Sequence, residues 1–267
     1  MNLSIWHRRL GHPSRDRLQK EISIYKPINH LHGRQSIAES CQGCVYGKSQ
    51  RQPIDMSRTA TRADEIMHTI HTDIWGNAPI PTYQGMQYYV SFTDDKFRYS
   101  EIHLPREKSS HAGFEKFEEF KARMETLTGK KITILRSDNG KEYFGPFTNR
   151  LKSWGIQAQV TNVYTLSQNG VAERLNRTLV ESARSMMYDG IEKRDRKLWG
   201  EAVMTSNYLR NGLPSRAIDM KTPYEVFLGK PAKIDHLRVW GCKVAIHVPE
   251  ETRKTLDRKG YYGMFVG

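Results

Sequence analysis

The stretch Ile70-His71-Thr72-Asp73-Ile74-Trp75-Gly76 decides the fold of this chain. Its β-branched and aromatic residues predict a strand that ends at the glycine and carries an aspartate near its end. Two more strands are predicted over 88–93 and 99–104, joined by a turn around Asp94-Asp95-Lys96. Because three strands are followed by alternating helices and strands, we expect an α/β layer domain with a mixed sheet.

Downstream of these strands, the apolar residues alternate between helical and strand spacing. Helical spacing predicts helices around 114–124, 147–154, 170–188 and 196–211. Short apolar runs predict strands over 132–135 and 156–160 and, after Pro223, over 237–240, 243–248 and 263–266. We accordingly divide the chain into four segments, namely a small N-terminal module (1–53), a linker without apolar periodicity (54–64), the α/β core (65–222) and a partial β module (223–267).

The charge of the chain is strongly positive and unevenly distributed. The 267 residues include 42 Lys+Arg and 29 Asp+Glu, which gives a net charge of +13. Residues 1–62 carry +7, residues 223–267 carry +3, and the 160 residues between them also carry +3. An excess of basic side chains favours a polyanionic partner, because binding releases counterions from a phosphate backbone. The alternative is a solvated basic surface without a partner.

The sequence gives no sign of a membrane or secretory destination. No stretch approaches the roughly 18 consecutive apolar residues of a membrane span. The first nine residues lack the apolar run of a secretory signal. We therefore expect a soluble, intracellular chain with no membrane partner.

Four residues with metal-ligand chemistry lie near the N-terminus. His7 and His12 are followed, after 28 intervening residues, by the pair Cys41 and Cys44. Two imidazoles and two thiolates can close a tetrahedral zinc site with no open position, which is a structural site. Such a site would stabilise a segment too small to fold readily alone. Alternatively, the histidines are two of ten and the cysteine pair is incidental. Two further histidines compete as ligands, His30 and His32.

Three carboxylates form a second set. Asp73 and Asp138 lie at the ends of two predicted strands, and Glu173 lies on the first turn of a predicted helix. Carboxylates placed in this way can converge on hard divalent cations such as Mg²⁺. Two such ions would stabilise the attacking and leaving oxygens of a phosphoryl displacement. Taken singly, each residue has an alternative role: a strand end for Asp73, a turn for Asp138 and a helix-stabilising pair with Arg177 for Glu173.

The helix that carries Glu173 has one polar and one apolar face. The polar stripe comprises Glu173, Arg177, Glu181 and Arg184, and the core face comprises Leu175, Leu179, Ala183 and Met186. Arg174 and Arg177 could bind DNA phosphates beside the metal ions. The alternative is a Glu–Arg ladder that faces water.

These motifs together resemble a known family. The stretches 6–13 and 41–48 resemble the zinc-binding GAG-pre-integrase module of Copia-type (Pseudoviridae) retrotransposon Pol polyproteins. The blocks 71–76, 136–143 and 168–176 resemble the three motifs of its integrase core, and the 34 residues between Asp138 and Glu173 resemble the Asp-Asp-35-Glu arrangement of retroviral integrases. Residues 222–242 resemble the SH3-like stretch that follows that core.

The resemblance implies an RNase H-like core between a helical zinc module and a partial SH3-like β module. It implies a metal-dependent integrase that trims the 3′ ends of element cDNA and joins them to target DNA. Asp73, Asp138 and Glu173 would bind Mg²⁺ or Mn²⁺, the His/Cys set would bind structural Zn²⁺, and Asn169 and Gly170 would approach the DNA end.

The resemblance also implies DNA partners, a homo-multimer and a nuclear location after a cytoplasmic virus-like particle stage of the parent element. Leu166 departs from the family pattern, in which Pro is common, so the loop before Glu173 would be less rigid. Two alternatives stay open. One is a catalytically inactive, nucleic-acid-binding remnant, and the other is a plain RNase H nuclease, which would not need the His/Cys module.

Overall fold

The structure of the chain is a computed structural model. It describes residues 3–14, 17–18, 41–48, 62–138, 146–160, 170–190 and 195–267. The apolar patterning of the sequence produces a central sheet with helices on both faces.

The central sheet has five strands, and all five fall where the sequence predicts them, with ends that differ by at most two residues. The strands are β1 (Thr69–Trp75), β2 (Tyr89–Asp94), β3 (Ser100–His103), β4 (Ile134–Ser137) and β5 (Gln157–Val160). Their order is β3-β2-β1-β4-β5. The pairs β1/β2 and β2/β3 are antiparallel, whereas β1/β4 and β4/β5 are parallel. The sheet is therefore mixed, as predicted.

Two helices cover one face of the sheet. They are α3 (Ser110–Thr128) and α4 (Pro146–Ser153). Phe117, Phe120 and Met124 of α3 are fully buried against the sheet, as their helical spacing predicts. The Ser109 hydroxyl caps α3 by accepting a hydrogen bond from the Ala112 amide at 3.1 Å. These contacts fix α3 behind the strands.

Two further helices cover the other face. They are α5 (Gly170–Gly190) and α6 (Trp199–Gly212), and a 3-10 turn over Arg196–Leu198 precedes α6. The predicted core face of α5 is buried as a continuous row: Leu175, Leu179, Ala183 and Met186. The helix is thereby held against β1, the strand that carries Asp73.

Helix α6 also closes the outer edge of β3. The Ser100 amide donates to Asn211 Oδ1 at 3.1 Å. The Ser100 carbonyl accepts from Asn207 Nδ2 at 2.9 Å and from Asn211 Nδ2 at 2.7 Å. Side-chain amides of a helix thus take the hydrogen bonds that another strand would take at this residue.

The N-terminal segment packs on α5. It contains α1 (Leu3–Arg9) and α2 (Gln42–Lys48). Trp6 and Leu10 belong to the same hydrophobic cluster as the core face of α5. The first of the N-terminal helices, α1, therefore shares a hydrophobic core with α5. Most of the intervening residues lie outside the described ranges.

The C-terminal segment begins with a helix that the sequence analysis did not anticipate. Helix α7 (Pro223–Leu228) is capped by the Thr222 hydroxyl, and its Phe227 ring stacks on Tyr99 at the sheet. Strands β6 (Lys243–His247) and β7 (Gly260–Met264) then form a two-stranded antiparallel sheet. The four-segment division of the chain stays a prediction.

One predicted strand is wrong. Residues 237–240 form no strand, because their apolar side chains pack on the core instead of pairing along a ladder. Leu237 and Trp240 are buried in the cluster beneath α5 and α6, and Trp240 Nε1 donates to the Val266 carbonyl at 2.8 Å. No helix among the described residues is both long and apolar enough to cross a bilayer.

Candidate active site and metal centre

The two aspartates lie on adjacent parallel strands. Strand β1 pairs with β4 in a register that places His71 opposite Arg136. Continued by two residues, this register would bring Asp138 beside Asp73. Because parallel strands end at the same edge of a sheet, both carboxylates lie at the carboxyl end of this pair.

Glu173 joins the aspartates from α5. It lies on the first turn of that helix and is exposed. Burial, together with the negative charges of Asp138 and Glu173, raises the pKa of Asp73 to about 6. The charges of Asp138 and Glu173 therefore both act on the Asp73 carboxyl group. The catalytic role of the three residues stays a prediction.

The carboxylate cluster suits a divalent cation. At Asp73, burial and two neighbouring acidic groups outweigh the opposing charge of Lys108, so the carboxylate form is disfavoured without a further cation. Oxygen ligands of this type are the ones that Mg²⁺ prefers. The residues present therefore fit the metal that the sequence analysis expected.

The four predicted zinc ligands also converge. His12 Nδ1 lies 3.2 Å from His7 Nε2, 3.3 Å from Cys41 Sγ and 3.6 Å from Cys44 Sγ. His7 Nε2 lies 3.2 Å from Cys44 Sγ, and the ligand atoms of all four residues lie within 4.8 Å of one another. Around a tetrahedral zinc ion, Zn–N and Zn–S bonds of about 2.0–2.3 Å place neighbouring ligand atoms about 3.3–3.8 Å apart. The geometry fits zinc.

The electrostatics of this cluster agree with its geometry. Burial lowers the pKa of His7 to about 4, which keeps the imidazole neutral and able to bind a metal. Burial raises the pKa of Cys44 to about 11, because a lone thiolate is unfavourable there without a cation. A bound zinc ion would supply that charge. The competing ligands His30 and His32 lie outside the described residues.

The chain matches known proteins over its whole length. Residues 2–49, which include all four candidate zinc ligands, match the GAG-pre-integrase domain. The retrovirus-related Pol polyprotein from transposon TNT 1-94 of Nicotiana tabacum is 35% identical over 268 residues, covering 100% of this chain and 20% of the relative. The corresponding polyprotein from transposon RE1 of Arabidopsis thaliana is 29% identical, covering 99% of this chain and 17% of the relative.

Over its whole length, the chain is similar to retrovirus-related Pol polyproteins of transposons. The resemblance stated from the sequence is thereby confirmed. The chain spans about one fifth of the length of the curated relatives it matches.

A solved structure of another protein has a fold similar to that of this chain. The simian T-cell lymphotropic virus intasome, in complex with the PP2A regulatory subunit B56 gamma, contains a chain with a TM-score of 0.52 and 16% identity. The match covers 98% of this chain and 87% of that one. The predicted fold class, an RNase H-like mixed sheet between a zinc module and a β module, is confirmed.

The predicted DNA-contacting residues of this chain fall into two groups. Asn169 lies outside the described residues, and Gly170 is the buried first residue of α5. Arg174 and Arg177 are exposed on the first turns of α5, beside Glu173. Among the described residues, Glu173 and Arg177 form no ion pair, so the proposed helix-stabilising pair is absent. DNA contact by the four residues Asn169, Gly170, Arg174 and Arg177 stays a prediction.

One residue that contacts Asp73 was not predicted from the sequence. Asn176, three residues after Glu173 and so on the same side of α5, donates from Nδ2 to Asp73 Oδ2 at 2.8 Å. Its Oδ1 is buried and has no hydrogen-bond partner in the described part of the chain. The helical spacing from Glu173 was the only signal that could have revealed it.

Proposed function

We propose that this chain is the integrase segment of a retrotransposon polyprotein and catalyses 3′-end processing and strand transfer of element cDNA into target DNA. The observation that carries the proposal is the effect of the Asp138 and Glu173 charges on the buried carboxyl group of Asp73. The relatives are retrotransposon Pol proteins and the fold is that of an intasome chain, which supports an integrase-family function.

The reaction would proceed by two displacements at phosphorus. In the first, water attacks a phosphodiester near the 3′ end of the cDNA and releases the terminal nucleotides, which leaves a 3′-hydroxyl. In the second, this hydroxyl attacks a target phosphodiester, joins to the phosphorus and displaces the target strand's own 3′-oxygen. Neither step needs a covalent enzyme intermediate, so the task of the protein is positioning.

Each group in the site has a definable task in this scheme. Asp73, Asp138 and Glu173 would hold the Mg²⁺ or Mn²⁺ ions. These ions, when bound, supply charge stabilisation for the attacking and leaving oxygens. Asn176 holds the Asp73 carboxylate in place through its 2.8 Å hydrogen bond. Arg174 and Arg177 lie on the same turns of α5 and would bind phosphates of the DNA strand.

The distribution of charge supports DNA as the substrate. The chain carries +13, most of it outside the core that holds the acidic cluster. Basic flanks would bind the DNA backbone, while the core would obtain its positive charge from metal ions. Action on genomic DNA would place the chain in the nucleus, after the particle stage of the parent element. As integrases join two cDNA ends, we also propose that the chain acts as a homo-multimer.

A joining assay tests this function. A short blunt duplex is incubated with plasmid DNA in Mg²⁺ or Mn²⁺, and covalent joining is measured. We expect joining by the wild-type chain, a loss of more than about a hundredfold in Asp138→Asn and little change in the exposed control Arg184→Ala. Tight DNA binding without joining would refute the proposal and favour the inactive, nucleic-acid-binding remnant.

A further inference from the structure

The two ring nitrogens of His12 face different partners. Nδ1 faces the other three zinc ligands, at 3.2–3.6 Å from His7 Nε2, Cys41 Sγ and Cys44 Sγ. Nε2 faces away from them and lies 3.5 Å from Oδ2 of Asp189, which is the penultimate residue of α5. The carboxylate that meets this imidazole therefore comes from the core of the protein and not from the zinc module.

The contact between the zinc module and α5 is tight enough to fix this geometry. A Cβ atom at Gly47 would lie 2.2 Å from Ser185 Oγ and 2.8 Å from the Ser185 amide nitrogen. A Cβ atom at Gly43 would lie 2.8 Å from the Ser185 carbonyl oxygen and 3.1 Å from Asp189 Cβ. Only glycine allows α2 to approach α5 this closely.

Hydrogen bonds add to the glycine contacts. The Ser182 hydroxyl of α5 donates to the Gly11 carbonyl at 2.6 Å, directly before His12 in the chain. Arg8 Nε donates to the same Oδ2 atom of Asp189 that faces His12. The side chain of Asp189 is 19% exposed, and that of His12 is 1% exposed. The carboxylate thus lies between the core and the zinc module in a largely dry contact.

We propose that Asp189 is a positioning residue of the zinc site, and that through it the catalytic helix α5 completes a site whose ligands all lie in the N-terminal module. Metal-binding histidines commonly donate their second N–H to a carboxylate, which fixes the tautomer and the ring orientation. Asp189 would hold the proton of His12 on Nε2, so that the lone pair of Nδ1 points at the metal. The inference rests on zinc occupying the His/Cys cluster and does not depend on strand transfer.

The arrangement links zinc binding to the packing of α5. If Asp189 favours the zinc-bound geometry, then bound zinc must favour the docked position of Asp189 by the same free energy. Glu173 and Asp189 belong to one helix, so the link runs from the zinc module to the element that carries the third carboxylate of the core.

Zinc affinity tests the proposal directly. It is measured by competition with a chromogenic chelator, without DNA or Mg²⁺, in the full chain and in four variants. Loss of a carboxylate next to a ligating histidine lowers metal affinity about 10–100-fold, so we expect this loss in Asp189→Ala and a smaller one in Asp189→Asn. Asp235→Ala, which removes an exposed carboxylate of the C-terminal segment, should bind zinc like wild type.

Arg8→Ala separates the two possible roles of Asp189. This variant removes the other partner of Asp189 but leaves the contact with His12. Zinc affinity should stay close to wild type. The proposal is overturned if Asp189→Ala binds zinc as tightly as wild type, or if Arg8→Ala weakens binding as much as Asp189→Ala does. In the latter case the carboxylate acts only in docking.

Hydrogen exchange of the wild-type chain provides a test that does not depend on the folding of any variant. Removal of zinc should reduce the protection of amides near 182–189 of α5, while amides in β4 keep theirs. Equal protection of α5 with and without zinc would overturn the link. Because neither measurement involves DNA joining, failure here and failure of the integrase function can be told apart.

Discussion

At the scale of single residues, Asn176 contributes to the cluster without being an acid. Its amide donates to Asp73 across 103 positions of sequence, and this is the described hydrogen bond that joins α5 to the strand aspartate. A hydrogen bond to an ionised carboxylate contributes about 1.5–3 kcal/mol. The geometry of Asp73 therefore depends on a residue that carries no charge.

We expect Asn176→Ala to weaken Mg²⁺ binding and DNA joining about tenfold or more, in line with the loss of a hydrogen bond to a charged group. The measurement is joining as a function of Mg²⁺ concentration. Thr178→Ala is a matched control, because its hydroxyl donates only to the Arg174 carbonyl within the same helix. An unchanged Mg²⁺ dependence in Asn176→Ala would show that Asp73 needs no such support.

The raised pKa of Asp73 gives a second prediction at this scale. Since this pKa is about 6 in the folded chain and near 3.8 in the unfolded one, the folded state holds the extra proton between these values. The contribution of Asp73 to the free energy of unfolding must then fall as pH rises through about 4 to 6. Above pH 6 this contribution stays at its lowered value. Without Mg²⁺, Asp73→Asn should be more stable than wild type at pH 7.5, by about 2–3 kcal/mol.

The measurement for Asp73→Asn is thermal unfolding in Mg²⁺-free buffer with zinc retained. The difference from wild type should largely disappear at pH 4, and added Mg²⁺ should raise the melting temperature of wild type alone. Asp235→Asn, an exposed carboxylate change, should alter neither value. A variant that melts like wild type at pH 7.5 would argue against the strained carboxylate cluster.

At the scale of elements, the contact between α2 and α5 depends on small residues, and Gly47 has the closest approach. A methyl group at Gly47 would overlap the backbone and hydroxyl of Ser185, which belong to a rigid helix and cannot yield easily. We expect Gly47→Ala to push α2 away from α5 and destabilise the chain by about 1–3 kcal/mol, the usual cost of overpacking.

Gly113→Ala in α3 is the control for this substitution. A Cβ atom there meets only Ile74 Cδ1, at an ordinary 3.7 Å, and alanine is favoured over glycine within a helix. This control should keep or slightly raise the melting temperature. If Gly47→Ala melts at the wild-type temperature too, the close approach of the two helices is not required for stability.

The same scale shows how much of the fold the sequence could reveal. Local patterning located the five sheet strands and the core face of α5, because each depends on neighbours a few residues away. It failed at Leu237 and Trp240, whose apolar character serves packing on a distant core. Asp73 and Asp138 could be selected because they end strands. Asp189 could not, since only the fold places it beside His12, and Asn176 offered no more than its helical spacing from Glu173.

At the scale of the whole molecule, most of the net charge of +13 lies in the N-terminal and C-terminal segments, and the core between them carries only a small part of it. We expect DNA affinity to fall by about a thousandfold or more between 50 and 200 mM salt, as for proteins with six or more phosphate contacts. Arg177→Ala should reduce the magnitude of the log–log salt slope by about 1. Fluorescence anisotropy with a short duplex, measured at several salt concentrations, checks both values.

Lys130→Ala is the control for the salt dependence. Lys130 precedes β4, at the opposite end of the strand from Asp138, and pairs with Glu65 at 3.4 Å. Its loss should leave the slope unchanged. An equal effect of the two substitutions would mean that DNA binds through overall charge and has no preferred position at α5.

The hydrogen bonds between the Ser100 backbone and the side-chain amides of Asn207 and Asn211 have a consequence for self-association. Growth of a sheet by addition of a foreign strand needs free backbone donors and acceptors along an edge. Asn207 and Asn211 occupy those of Ser100, so β3 is a poor template for such growth. In the described part of the chain, β5 pairs with β4 on its inner side and has no strand on its outer side. The backbone N–H and C=O groups on that outer side therefore pair with no other strand. Fibrillar misassembly that starts from the folded core would therefore be directional, propagating from β5 and stopping at β3.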